Sequence, residues 1–170
     1  MAFRFPIKQA LAVILTAMAA LPTPSALAAN VYGEQLEGFH YPYTLEHFYF
    51  SSQQQPLSMG YMDVKPAQQA NGQTMVLLHG KNFCGATWED TIKALSQQGY
   101  RVIAPDQIGF CSSTKPANYQ YSFQQLALNT HQLLAHLGVA KAVMVGHSTG
   151  GMLATRYALM YPQQTQKLVL

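Results

Sequence analysis

Three short apolar runs, each halted by a polar or glycine-bearing turn and followed by a helical stretch, constrain this chain more than any other feature. Met75-Val76-Leu77-Leu78 stops at His79-Gly80, Arg101 to Ala104 closes on Pro105-Asp106, and Ala142 to Val145 leads into Gly146-His147-Ser148-Thr149-Gly150. The runs do not alternate apolar with polar residues, which is the pattern of strands buried on both faces. The stretches between them read as helices: about Thr87 to Gln98, stopped by Gly99; Ser122, an expected N-cap, to about Leu137, stopped by Gly138; and Gly150 to Tyr161, stopped by Pro162. Lys167 to Leu170 opens a fourth strand. Strand and helix in alternation predict an α/β fold with a mostly parallel sheet and helices on both faces. Sites in such sheets form at the carboxyl ends of the strands. His79-Gly80, Asp106 and the Gly-His-Ser-Thr-Gly turn are therefore predicted to converge on one edge. Upstream, Leu45 to Phe50 and Leu57 to Val64 read as two strands around a turn over Ser51 to Pro56.

The start of the chain follows a different pattern. Arg4 and Lys8 precede an apolar run from Ala10 to Leu21, then Pro22, Pro24 and the small-residue site Ala26-Leu27-Ala28. That layout predicts a secretory signal peptide, cleaved near Ala28; an uncleaved membrane anchor is the alternative. The run is too short to cross a bilayer as a helix, so no stable span is expected after cleavage. The expected organisation is a signal peptide over residues 1–28, an extension over 29–42 and one domain over 43–170, exported to the periplasm or beyond. Removing Arg4 and Lys8 from the ten basic side chains leaves eight against seven acids, with no basic run. Nucleic acid is not an expected partner of so neutral a chain. In an oxidising compartment the even pair Cys84 and Cys111 favours a bridge over two unrelated buried thiols.

A lone Gly-x-Ser-x-Gly is weak evidence, since roughly one random chain in twenty of this length would contain it. Its context gives it meaning. Leaving a strand and entering a helix, the motif sets Ser148 on a tight, strained turn whose flanking glycines, Gly146 and Gly150, let strand and helix approach. The helix N-terminus there favours negative charge.

With those residues in place, the chain resembles the N-terminal half of the α/β-hydrolases over residues 43 to 170. The resemblance rests on LLHGKNFCGATW, IAPDQIGFCSS and VGHSTGGMLATRYALMYP, each at the expected place in strand order. It implies Ser148 as nucleophile and an oxyanion hole from the N–H of Thr149 and the N–H just after His79-Gly80, hence Lys81, with Asn82 as the next candidate. His79 and Asp106 could complete a triad, but structural roles are expected instead: His79 bonding the loop that shapes that hole and Asp106 tying down the turn after its strand. His147, on the serine's own turn, cannot swing round to act as its base and is expected to support the elbow. Cys84 and Cys111 then fall in loops after neighbouring strands, and a disulfide between them is predicted. The implied substrate is a small molecule with an ester-like acyl bond. No metal-ligand spacing or phosphate loop appears, so no cofactor is implied, and the oligomeric state is not legible.

In the family the order is serine, acid, histidine. Residues 149–170 contain no Asp, Glu or His. The expectation is therefore an exported serine hydrolase present as an N-terminal fragment inactive alone, its acid, base and cap lying elsewhere. The alternative is a truncated non-catalytic relative.

Overall fold

Two glutamines make the first turn. Gln53 and Gln54 both adopt positive φ, 50° and 60°, and join β1 (Leu45–Ser52) to β2 (Gln55–Val64) with Ser52 opposite Gln55. A two-residue turn with both φ positive matches the twist of its strands. The turn is therefore shorter than the Ser51 to Pro56 span read from the sequence. Glutamine carries the strain because Gln53 is held from both ends: its Nε2 donates to the Gln120 carbonyl at 3.0 Å and its Oε1 accepts the Gln120 N–H at 2.9 Å.

The computed structural model describes residues 31–170, and the predicted signal peptide lies outside these described residues. Tyr32–Leu170 form one compact unit. After the hairpin come β3 (Thr74–Leu78), a 3-10 turn (Gly85–Trp88), α1 (Glu89–Gln97), β4 (Arg101–Pro105), α2 (Phe123–His136), β5 (Ala142–Gly146), α3 (Thr149–Met160) and β6 (Thr165–Val169). The helix expected from Thr87 starts at Glu89, because the preceding residues tighten into a 3-10 turn. Ser122 caps α2 as predicted, its Oγ accepting the Gln125 N–H at 3.1 Å.

The sheet order is β1-β2-β4-β3-β5-β6. Strands β4, β3, β5 and β6 run parallel, while β1 and β2 are antiparallel additions at one edge. Side chains on successive residues of β3 enter different cores. Val76 and Leu78 join Met144, Leu133 and Tyr157 beneath α2 and α3. Leu77 joins Val102, Ala104 and Ile92 beneath α1. Helices thus cover both faces, and the unalternating runs are explained by two-sided burial.

The chain leaves β3 in one direction to form β4 and crosses back over it to form β5. That reversal opens a crevice at the carboxyl ends of β3 and β5, where doubly wound sheets hold ligands. A disulfide between Cys84 and Cys111, Cα atoms 5.8 Å apart, joins the loop after β3 to the loop after β4. Its sequence separation of 27 residues corresponds by loop-closure entropy to about 3–4 kcal/mol. Reduction is expected to lower the unfolding free energy by that amount, read from urea curves with and without reductant; equal midpoints would contradict it.

Candidate active site

Ser148 occupies the N-cap position of α3, as Ser122 does for α2, but the two serines are used differently. Ser122 has ordinary extended dihedrals and its hydroxyl caps its helix. Ser148 sits at φ 54°, ψ −119°, and its side chain makes no capping bond. A non-glycine residue there costs on the order of 1–3 kcal/mol and persists only where its surroundings impose it. The neighbouring glycines do so: a Cβ on Gly150 would overlap the Leu78 and His79 carbonyls, and one on Gly146 would overlap the Gly150 backbone. The result is an exposed serine on a turn locked against the end of β3. The His147 N–H donates to the Leu78 carbonyl at 3.2 Å.

The loop after β3 closes on the serine. A Cβ on Gly80 would lie 3.1 Å from the His147 ring and 3.3 Å from the Ser148 Cβ, so a side chain there would press on the serine turn. A turn from Gly80 to Phe83 follows, closed by Phe83 N–H to Gly80 O at 3.2 Å, with Asn82 at φ 66°. Asparagine tolerates that left-handed position of a turn better than most residues. Among the described residues, the N–H groups of Lys81 and Thr149 donate to no protein acceptor. Those of Gly150, Gly151 and Met152 are taken by the His147 and Ser148 carbonyls.

His79 and Asp106 are buried anchors behind this surface. Nε2 of His79 accepts the Gln107 N–H at 3.0 Å and Nδ1 lies 2.9 Å from the Gly80 carbonyl. A carbonyl can only accept and an amide N–H can only donate, so the proton is on Nδ1 and the ring is neutral. Both nitrogens are engaged, which leaves neither for Ser148. Burial pushes the imidazole below its ordinary 6.5, against smaller opposing effects from the Gly80 carbonyl and Asp106. The unfolded chain therefore binds an extra proton first as pH falls. Stability is expected to drop below about pH 6.5 by up to about 1.4 kcal/mol per pH unit. Urea midpoints at pH 7.5 and 5.5 should show a smaller shift in His79→Gln than in the natural protein; an unchanged shift would remove His79 as the cause.

Asp106, 1 % exposed, holds three stretches of chain. Its Oδ1 accepts the Gly85 N–H at 2.6 Å, and its Oδ2 accepts the Ser112 N–H at 3.0 Å, the Ser112 hydroxyl at 2.6 Å and the Tyr41 hydroxyl. His147 points outward, its ring edge-on to Phe83 at 5.9 Å. Cys84, Asp106 and Cys111 form the one cluster of possible metal ligands among the described residues, and both sulfurs are committed to the disulfide.

Two clefts flank the serine. An apolar one of about 650 Å³ is lined by Lys81, Phe110, Tyr121, Phe123, Leu126 and Thr149. A smaller one of about 210 Å³ is lined by Gly80, Phe83, Trp88 and His147. Thr149 lines the first and His147 the second, one on each side of Ser148 in the chain. The sequence brought His79, Asp106 and the serine turn to one edge as predicted. It missed Tyr41, Gly85, Ser112 and the aromatic wall from Phe110 and Tyr121 to Phe123. The hydroxyl pair Ser112-Ser113, shortly after Asp106, was the available signal for its partners.

Residues 73–170 match the α/β-hydrolase fold. The chain belongs to the α/β-hydrolase family. It is similar to a probable hydrolytic enzyme from Pseudomonas aeruginosa PAO1, with 65 % identity and a TM-score of 0.81 over 82 % of this chain and 45 % of that one. Bifunctional epoxide hydrolase 2 of Sus scrofa is 34 % identical over 65 % of this chain and 21 % of its own length. A cis-3-alkyl-4-alkyloxetan-2-one decarboxylase of Xanthomonas campestris is 33 % identical over 67 % and 39 % respectively. The chain thus spans less than half the length of each of these relatives. Their names cover epoxide opening and decarboxylation as well as hydrolysis, so α/β-hydrolase membership by itself leaves the scissile bond open. Among the described residues no helix is long and apolar enough to cross a membrane.

Proposed function

We propose that the protein is an exported serine hydrolase that cleaves an ester-like acyl bond, with Ser148 as nucleophile. The observation that carries this reading is the contrast between two serines at helix N-caps. Ser122 closes its helix, whereas Ser148 is held at φ 54° with an exposed hydroxyl free of capping. In the proposed reaction Ser148 Oγ attacks the acyl carbon and the developing oxyanion lies against the N–H groups of Thr149 and Lys81, with Asn82 as the next candidate. Among the described residues both N–H groups lack a protein acceptor, as preorganised donors require. The α3 dipole adds favourable potential at the same point. The apolar cleft beside Lys81 and Thr149 receives the acyl or leaving portion of a small substrate. His79, Gly80, Asp106, Gly146, His147 and Gly150 are assigned supporting roles. The general base and its acid are assigned to the part of the hydrolase beyond the span these 170 residues share with their relatives. The disulfide and the signal-like first 28 residues support export.

The test is covalent capture. The protein, made from its complete natural reading frame, is treated with a fluorophosphonate and digested. The expected result is a single phosphonyl adduct on the peptide containing Ser148, absent from Ser148→Ala. No adduct under conditions that label a known serine esterase would overturn the reading in favour of a non-catalytic relative.

A further inference from the structure

We propose that Tyr41, ahead of the first strand, is a positioning residue for the loop that bears Lys81, acting through the Asp106 carboxylate; this rests on the hydrolase reading above. The segment that carries Tyr41 is built as a strap. Two successive turns, Leu36 N–H to Gly33 O at 3.0 Å and Phe39 N–H to Leu36 O at 2.9 Å, fold it back on itself. The Tyr32 ring then meets Phe39 edge-on at 5.6 Å, and Phe39 meets Tyr41 edge-on at 5.2 Å. Phe39 and Tyr43 pack, with Trp88, against the core that contains Tyr41 and Ile92. The strap lines neither cleft. It delivers one buried hydroxyl to one buried carboxylate.

What that hydroxyl does follows from the shape of the carboxylate. Its two oxygens share a rigid plane, so fixing one fixes the other. The Tyr41 and Ser112 donors hold Oδ2, and Oδ1 is thereby aimed at the Gly85 N–H at 2.6 Å. Gly85 packs too close to β4 for a side chain, since a Cβ there would approach the Ala104 carbonyl to 2.8 Å. The backbone from Gly80 to Gly85 is then pinned at both ends: at Gly80 by His79 and at Gly85 by Asp106. Lys81 lies between these pins. Burial, and next the Asp106 charge, push the Tyr41 phenol far above its ordinary value, so it remains a donor at any working pH.

Tyr41→Phe removes the donor and keeps the ring. In the protein made from its complete reading frame, kcat on a short p-nitrophenyl ester is expected to fall about tenfold with KM unchanged. That is a fraction of the 10²–10³ lost when an oxyanion donor is removed outright. Affinity for a trifluoromethyl ketone, which forms the oxyanion adduct, should fall by the same factor, a parallel that general loosening of the fold would not produce. Ser112→Ala, which frees the same carboxylate oxygen, should repeat the pattern. Tyr43→Phe, on the same strap with no bond to Asp106, should leave both readouts unchanged. If Tyr41→Phe and Ser112→Ala keep full kcat and ketone affinity while Ser148 is still captured by the fluorophosphonate, the positioning role is wrong and the hydrolase reading stands. If Ser148 is not captured in the natural protein, both fall. Equal losses in Tyr43→Phe would also overturn the role, because they would assign the effect to packing.

Discussion

Ser148→Ala is expected to lower turnover of short acyl esters by at least about 10⁴-fold, the scale on which removal of a serine nucleophile acts in enzymes of this chemistry. The same substitution should move the unfolding free energy by no more than about 0.5 kcal/mol, as for other exposed side chains without partners. The two expectations belong together. The Ser148 hydroxyl is exposed and makes no capping bond, so folding gains nothing from it, while alanine accepts the same strained φ at similar cost. Turnover by the purified variant within tenfold of the natural protein would remove Ser148 from the chemistry. A large loss of stability would show instead that the hydroxyl holds the turn together.

The second large effect lies behind the surface. Asp106→Ala is expected to destabilise the protein by about 3–5 kcal/mol, because several buried donors lose their shared acceptor at once. The donors left behind are the Gly85 N–H, the Ser112 N–H and hydroxyl, and the Tyr41 hydroxyl. Each unsatisfied buried donor costs about 1–3 kcal/mol, and the total is lowered as far as water enters the space vacated. The disulfide beside it cannot compensate, because it ties Cys84 to Cys111 without offering an acceptor. Urea unfolding of the oxidised protein measures the effect. A change below about 1 kcal/mol would mean that the loops are held by the covalent bridge alone.

Much of this architecture was readable in the amino-acid order because burial on both faces leaves a continuous apolar signature. That signature located β3, β4 and β5, and the polar groups that interrupt it marked the edge where the candidate site lies. Ser122 was recognisable as a cap from its position alone. Other features depend on partners distant in the chain. The Gln53-Gln54 turn defies local preference because Gln120 holds it, and the 3-10 turn before α1 is imposed where Gly85 meets Asp106 and β4. Tyr41 stands 65 residues from Asp106, and nothing in the aromatic run Phe39 to Tyr43 announces which ring carries a working hydroxyl. The cleft walls were hidden for the same reason: Phe110 and Phe123 become neighbours only when the loop after β4 folds over the start of α2.

The position of β3 also sets the order in which the site can come into being. β3 is the first of the parallel strands to be synthesised, yet it lies between β4 and β5, and the serine turn follows the later of these two. The Gly80 loop therefore has nothing to close on until β5 has been made, crossed over and paired. Pairings of such long sequence separation carry most of the loop-closure entropy and form late. A nascent or half-refolded chain thus holds the serine and the loop that faces it as two unjoined halves. On the proposed role of Ser148, its reactivity arises as one of the last events of folding, and the rate of its capture during refolding becomes a clock for completion of the central sheet.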